Sequence, residues 1–250
     1  MTWIYGPPKI GKTTLASHFP GAWFIATERG QDWVEIYEPT MVHSWDEFLD
    51  FASLVETDKP TTFGDGNPIQ TIVIDVVDLL FRMCQEDTCS TLGIESPSEL
   101  SHGKGWDRLY GEFVRVISKM RRWPYGLVVI SHERDREFKT KGKQTHRKEP
   151  DIGQGGFRAL SSLSDLILYA HSNEHTIIDK ATGEIQGTEE KRTLLCHPTS
   201  WAVAGGRMSH LLPEMIELDY ETLNSHLLAG IPPTSSKPKT TTTKRRTKRG

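Results

Sequence analysis

Gly6-Pro7-Pro8-Lys9-Ile10-Gly11-Lys12-Thr13 fits the pattern G-x-x-x-x-G-K-[ST]. The apolar run Thr2-Trp3-Ile4-Tyr5 before it reads as a short buried strand. Lys12-Thr13-Thr14-Leu15-Ala16-Ser17 after it reads as a helix start. A strand, a glycine-rich turn and a helix in that order build a phosphate-binding loop. The glycines let the backbone curl until successive N–H groups point inward, and the helix N-terminus adds unpaired donors and partial positive charge. The expected cradle runs from Gly6 through Pro7, Pro8, Lys9, Ile10 and Gly11 to Lys12, Thr13 and Thr14. Lys12 is expected to reach the β- and γ-phosphates of ATP, and the Thr13 hydroxyl to ligate Mg²⁺.

Working outward, Thr71-Ile72-Val73-Ile74-Asp75 is an apolar run ending in a carboxylate. A run apolar on both faces marks a central parallel strand. Ligands of open α/β sheets gather at the carboxyl ends of strands, so Asp75 is expected beside the phosphate loop. There it is expected to hold a Mg²⁺-bound water, the Walker B role.

The chain has 250 residues, of which 36% are hydrophobic and 25% charged, as in an ordinary globular protein with a real core. No apolar run approaches the roughly 20 residues of a membrane span. The first segment is already the strand before the loop, so no signal peptide is expected, and the expected compartment is the cytoplasm. Cys84, Cys89 and Cys196 lack metal-ligand spacing and read as free thiols in a reducing cytosol. Net charge is −3, yet residues 234–250 hold seven basic side chains and no acidic one, which leaves −10 for residues 1–233. That divides the chain into an acidic core, 1–233, and a basic, low-complexity tail, 234–250, expected to be disordered. An acidic body argues against a broad nucleic-acid groove and leaves room for local basic elements.

Ala22–Ala26, Gly126–Ile130 and Asp165–Tyr169 read as further strands. Ser44-Trp45-Asp46-Glu47 has the form of a capping box and opens a helix with Phe48, Phe51, Ala52 and Val55 on one face. Val76 to Cys89 and part of Gly103 to Trp123 read as helices, the second with Trp106, Leu109, Phe113, Ile117 and Met120 on one face. Glu133 to Gly156 is polar, charged and aperiodic, and reads as a long functional loop. His175–Asp179 and Lys191–Cys196 read as a hairpin, and a last helix opens near Asp219. Strands alternating with helices imply a mostly parallel α/β sheet covered on both faces, with a late antiparallel hairpin.

In this order, the phosphate loop, Glu28 after the second strand, Ile72–Asp75 and Ser131-His132 resemble the RecA-like P-loop ATPases. The resemblance spans roughly residues 1–228. It is nearest to minimal RecA-core proteins of bacteriophages, described as AAA-family nucleotide-binding proteins, some of them Sak-type single-strand annealing proteins. Ile74-Asp75-Val76-Val77-Asp78, Ile130-Ser131-His132-Glu133 and Ala204-Gly205-Gly206-Arg207 with Leu212-Pro213 share in it.

That resemblance implies that Glu28, on a strand neighbouring the phosphate-loop strand, orients the attacking water. It implies that His132 takes the place of the glutamine that senses the γ-phosphate in RecA proteins. The 133–156 loop becomes the DNA-contacting loop. It carries Arg134, Arg136, Lys139, Lys141, Lys143, Arg147 and Lys148 for phosphates, and Phe138 for stacking on a base. Gly153-Gln154-Gly155-Gly156 resembles the glycine-rich return to the next helix. Arg207 is a candidate finger reaching the nucleotide of a neighbouring subunit, with Lys191 and Arg192 as competitors. The implied assembly is a filament or ring. RecA proteins grip the next subunit with a segment before the first strand; no such segment is expected ahead of Thr2-Trp3-Ile4-Tyr5, so the resemblance leaves the assembly mode open.

Three functions follow as alternatives. One is an ATPase that binds single-stranded DNA and promotes annealing or strand pairing in phage-type recombination, with a single-strand-binding protein as a possible partner. The second is a helicase loader or partner-regulated switch. The third, a small-molecule kinase, lacks a lid with clustered arginines.

Overall fold

A computed structural model describes residues 1–30, 34–37, 39–140, 143–178 and 185–230. The basic tail and Lys141 lie outside the described residues.

The phosphate loop joins β1 (Thr2–Gly6) to α1 (Lys12–Ser17). There follow β2 (Ala22–Ala26), β3 (Thr40–Met41), α2 (Trp45–Asp58), β4 (Thr71–Asp75), α3 (Val77–Leu92) and α4 (Lys104–Met120). The second half holds β5 (Gly126–Thr140), β6 (Lys143–Pro150), α5 (Gln154–Leu163), β7 (Leu166–Ile178), β8 (Ile185–Leu195), β9 (Met215–Glu217) and α6 (Tyr220–Gly230). Ser44 caps α2 as its sequence pattern predicts, accepting a hydrogen bond from Glu47 N at 3.2 Å. Asp219 does the same for α6, accepting from Thr222 N at 2.8 Å.

The strands form one sheet in the order β3-β2-β4-β5-β1-β7-β8-β9, with β6 paired to the outer part of β5. The six strands from β3 to β7 run parallel, and β8 and β9 add an antiparallel edge. Alternation along each strand sorts its side chains to two faces. Trp3, Tyr5, Ile72 and Ile74 enter the core with Phe48, Phe81, Phe113 and Leu160 from α2, α3, α4 and α5. Ile4, Val73 and Ile130 enter the other core with Leu15 of α1 and Leu223 of α6. The result is three layers, helices on both faces of a mostly parallel sheet, as the strand–helix alternation implies. In α4, Leu109, Phe113, Ile117 and Met120 are buried as expected, whereas Trp106, at the first turn, is 44% exposed.

Two sequence expectations are corrected. The 133–156 segment is not a structureless loop. β5 continues past Ser131-His132 to Thr140 and pairs back with β6 as an antiparallel hairpin. Its residues are polar on both faces, so the alternation that reveals a half-buried strand is absent, and cross-strand pairing holds it instead. Second, the two expected strands are one: β7 spans Leu166–Ile178, with Asp165 just before it and Asp179 outside the described residues. β7 runs parallel beside β1 up to Tyr169 and then continues, paired antiparallel to β8.

Candidate nucleotide site and basic hairpin

The strand order decides which carboxyl ends meet. β5 lies between β1 and β4, with Gly6 level with His132 and Asp75 level with Ile130. β2 is separated from β1 by both β4 and β5, so Glu28 does not follow a strand neighbouring the phosphate-loop strand. His132 occupies that neighbouring strand. Glu28 enters the site from two strands further out, two residues beyond Ala26, which pairs with Asp75.

The loop itself turns through left-handed backbone at Lys9 (φ 63°) and Gly11 (φ 112°). A side chain at Gly6 would place its Cβ 2.2 Å from the Ala170 carbonyl oxygen, so only glycine fits where the loop leaves β1. This curl brings Lys12 back over the loop. Its Nζ donates to the carbonyls of Gly6 at 2.9 Å and Pro7 at 2.8 Å. Burial lowers the Lys12 pKa, opposed by the nearby Asp75 carboxylate. The Thr13 hydroxyl donates to Asp75 Oδ2 at 2.9 Å. Asp75 is itself 4% exposed.

A cleft of about 490 Å³ opens over these groups, lined by Pro8, Lys9, Gly11 to Thr14, Glu28, Gly30, Val34, Asp75, Val76, His132 and Arg192. A tightly curled glycine-rich loop, a buried ammonium and a hydroxyl–carboxylate pair suit a nucleoside triphosphate with a hard, oxygen-loving cation. Among the described residues no cluster of three His, Cys, Asp or Glu offers a metal cage. A Mg²⁺ ion brought in with a nucleotide would instead be held by Thr13 and Asp75. The three cysteines are buried and free, and burial pushes the Cys196 thiol up to about 12.

In the same cleft, His132 sits between two carboxylates. Its Nδ1 is 3.0 Å from Asp78 Oδ2, and its Nε2 is 3.7 Å from Glu28 Oε1. The bond to Asp78 raises the His132 pKa, with a smaller opposing effect of burial. Burial raises the Glu28 pKa, while His132 pulls it back. Asp78 appears in the quoted Ile74–Asp78 stretch, but nothing in its spacing announces a bond to a residue 54 positions away.

Arg207 is not part of this chain's cleft. Its guanidinium bonds to Asp165 Oδ1 at 3.0 Å and the Ser162 carbonyl at 3.1 Å, where Asp165 also receives Arg121 and the Met1 ammonium. Asp165 precedes β7, at the ends of the parallel strands opposite those that carry the phosphate loop. Arg192, its competitor, lines the cleft of its own chain, with Nη1 3.8 Å from the position a Gly11 Cβ would occupy.

The hairpin carries the remaining expected residues on two unlike faces. Residues directly opposite on paired strands share a face. One face holds Arg134, Arg136, Phe138, Thr145, Arg147 and Glu149. Three cations against one carboxylate leave it at +2. Arg134 bonds Glu149 Oε1 at 2.7 Å, Arg136 lies 3.5 Å from the same atom, and the Arg136 guanidinium sits 4.9 Å from the Phe138 ring centroid. The other face holds Glu133, Asp135, Glu137, His146 and Lys148. There Lys148 donates to Glu133 at 2.9 Å and Asp135 at 3.0 Å, so its charge is spent inside the hairpin. The side chains of Lys139 and Lys143 lie outside the described residues, as does Lys141.

The hairpin root is tied to the phosphate-loop strand. Tyr5 OH donates to Val203 O at 2.6 Å, lies 3.2 Å from Lys148 O, and accepts from Val203 N at 3.0 Å. Tyr169 OH donates to Glu133 Oε2 at 2.7 Å. Gln154 opens α5 directly after the hairpin, at the glycine-rich return.

Sheet order, phosphate loop and the Thr13–Asp75 pair define a P-loop NTPase. Residues 1–208 match the AAA_24 family, described as an AAA domain, and the chain belongs to that family. It is therefore a nucleotide-binding domain of ATPase type. No curated protein matches the chain. Among the described residues no helix is long and apolar enough to cross a membrane.

Proposed function

We propose that this chain is an ATP-hydrolysing, single-stranded-DNA-binding protein that promotes annealing or strand pairing, of the phage Sak type. The observation that carries the reading is β5. One uninterrupted strand places His132 in the nucleotide cleft and, from two residues further on, Arg134, Arg136 and Phe138 on the cationic face of a hairpin. Guanidinium groups beside a half-buried ring suit phosphates and bases without regard to sequence.

In this reading Lys12 and the loop amides hold the phosphates, and Thr13 and Asp75 hold Mg²⁺. Bound Mg²⁺–ATP supplies the scissile phosphoanhydride. Glu28 orients the attacking water, and His132 reports the γ-phosphate state to the hairpin. Phosphoryl transfer asks for positioning and charge rather than covalent help, and these residues supply both. Subunits assemble in a filament or ring, in the host cytoplasm, with Arg207 presented to a neighbour and a single-strand-binding protein as a further partner. Residues 1–233 form the ATPase core, and the basic tail adds a salt-sensitive tether for DNA.

The test is ATP hydrolysis by purified protein with and without single-stranded DNA, beside Lys12→Ala and Glu28→Gln. Stimulation by DNA, lost in both variants, is expected. Hydrolysis indifferent to DNA overturns the DNA-coupled reading and leaves a partner-regulated ATPase.

A further inference from the structure

We infer that Asp78 is a positioning residue for hydrolysis, clamping His132 so that its Nε2 faces Glu28 across the nucleotide cleft. The inference rests on the reading of Glu28 as the carboxylate that orients water.

Asp78 is the second residue of α3, and its side chain is 2% exposed. A carboxylate buried that far needs partners. Both its oxygens go to one residue. Oδ1 accepts the His132 backbone N–H at 3.2 Å and Oδ2 faces His132 Nδ1 at 3.0 Å. The carboxylate sits in the first turn of α3, where the helix dipole favours negative charge. An ionised carboxylate only accepts, so the ring nitrogen facing it carries the proton. That choice of tautomer leaves Nε2 on the far side of the ring, 3.7 Å from Glu28 Oε1.

The same residue anchors both legs of the hairpin. His132 continues into β5, and its carbonyl accepts the Asp151 N–H at 2.8 Å, directly after β6 ends at Pro150. Asp78 thus fixes the ring, the strand and the return of the hairpin through one two-point contact. The charged groups acting on His132 are Asp78, Glu28 and Lys12. Removing the Asp78 charge leaves Glu28 and Lys12 with opposite effects, so the His132 midpoint should fall.

The experiment compares wild type, Asp78→Asn, Glu28→Gln and the double variant. It reads kcat and KM for ATP across pH, together with the His132 ring titration and its ¹⁵N tautomer signature by NMR. Asp78→Asn is expected to lower kcat about ten- to a hundredfold, the range seen when outer partners of a functional histidine are lost. KM should stay within about twofold, the His132 midpoint should move down, and the double variant should be no slower than Glu28→Gln. Glu28→Gln hydrolysing at the wild-type rate overturns the reading beneath the inference. An inert Glu28→Gln beside an unaffected Asp78→Asn overturns the inference alone. The tautomer is read on the wild-type protein, so it needs no variant that folds. A neutral His132 protonated at Nε2 overturns the clamp.

Discussion

Arg136 and Arg147 stand directly opposite one another on the paired strands of the basic hairpin. Like charges in that relation oppose pairing, typically by a few tenths of a kcal/mol or more. Nearby, Glu149 is already bonded by Arg134 and lies 3.5 Å from Arg136. Within the described residues the Arg147 Nε is buried with no hydrogen-bond partner. In the proposed reading a DNA phosphate would relieve this repulsion. Replacing both arginines with alanine should weaken single-stranded DNA binding and flatten its salt dependence by about 0.7 in log–log slope per lost contact. ATP binding should be unchanged. Fluorescence anisotropy over a salt series measures both, and an unaltered slope removes this face from DNA binding.

Lys12 bridges the two carbonyls at the start of the loop, so its loss removes a loop clamp as well as a phosphate ligand. ATP at a hundred times its Kd should stabilise the wild type by about 2.7 kcal/mol. Lys12→Ala should show no such gain, while its melting temperature without nucleotide falls only modestly. Thermal shift with and without Mg²⁺–ATP checks this.

Glu28 has its pKa raised above 4.5 by burial. The folded state therefore binds its proton more readily than the unfolded chain does. Any stability from that proton is present at low pH and lost as pH rises through the raised value, leaving the ionised carboxylate a cost at neutral pH. Glu28→Gln should then melt slightly higher at pH 7 while hydrolysis falls by about 10²- to 10⁴-fold, the usual range for a lost base. A variant that loses both stability and activity counts against this trade.

For His132 the raised pKa acts with the same sign, but here the favoured protonated form is the charged one. Its partnership with Asp78 stabilises the fold fully below about pH 6.5, the ordinary histidine value. That contribution fades as pH rises through the raised folded value. The difference in stability between wild type and His132→Ala should shrink over that window, as denaturant melts at a series of pH values will show.

Phe113 is fully buried and meets Phe81 edge-on, with ring centroids 4.9 Å apart. It joins α4 to α3 beneath the sheet, away from the cleft. Phe113→Ala should cost about 3–5 kcal/mol by cavity formation. The nucleotide-dependent thermal shift should persist in whatever fraction remains folded.

The fold was legible wherever apolar patterning or glycine chemistry spoke for it. Thr2–Thr13 and Thr71–Asp75 announced the nucleotide site because a buried strand and a phosphate turn each leave a local signature. The capping box at Ser44 and the opening near Asp219 were equally local. The hairpin was illegible because Arg134 to Glu149 is polar on both faces, and its strands are held by Arg134–Glu149 and Lys148–Glu133 rather than by a buried stripe. The distance between β2 and β1 was illegible too, since strand order is a property of the whole sheet. Asp78 escaped notice because a lone carboxylate in a helix's first turn is commonplace until His132 arrives beside it.

Tyr5 gives the phosphate loop a direct mechanical link to its surroundings. β1 is bracketed by β5 and β7, and both neighbours project beyond the sheet at the loop's end as ribbons. Each ribbon is continuous with a strand that flanks the loop, so strand backbone runs unbroken from the described part of the ribbon into the sheet. Tyr5, sealed against Val203 and Lys148, makes that bracket stiff from below. The phosphate loop thus leaves β1 between two strands that both run on past it, so the loop's exit at Gly6 is walled by paired backbone on each side.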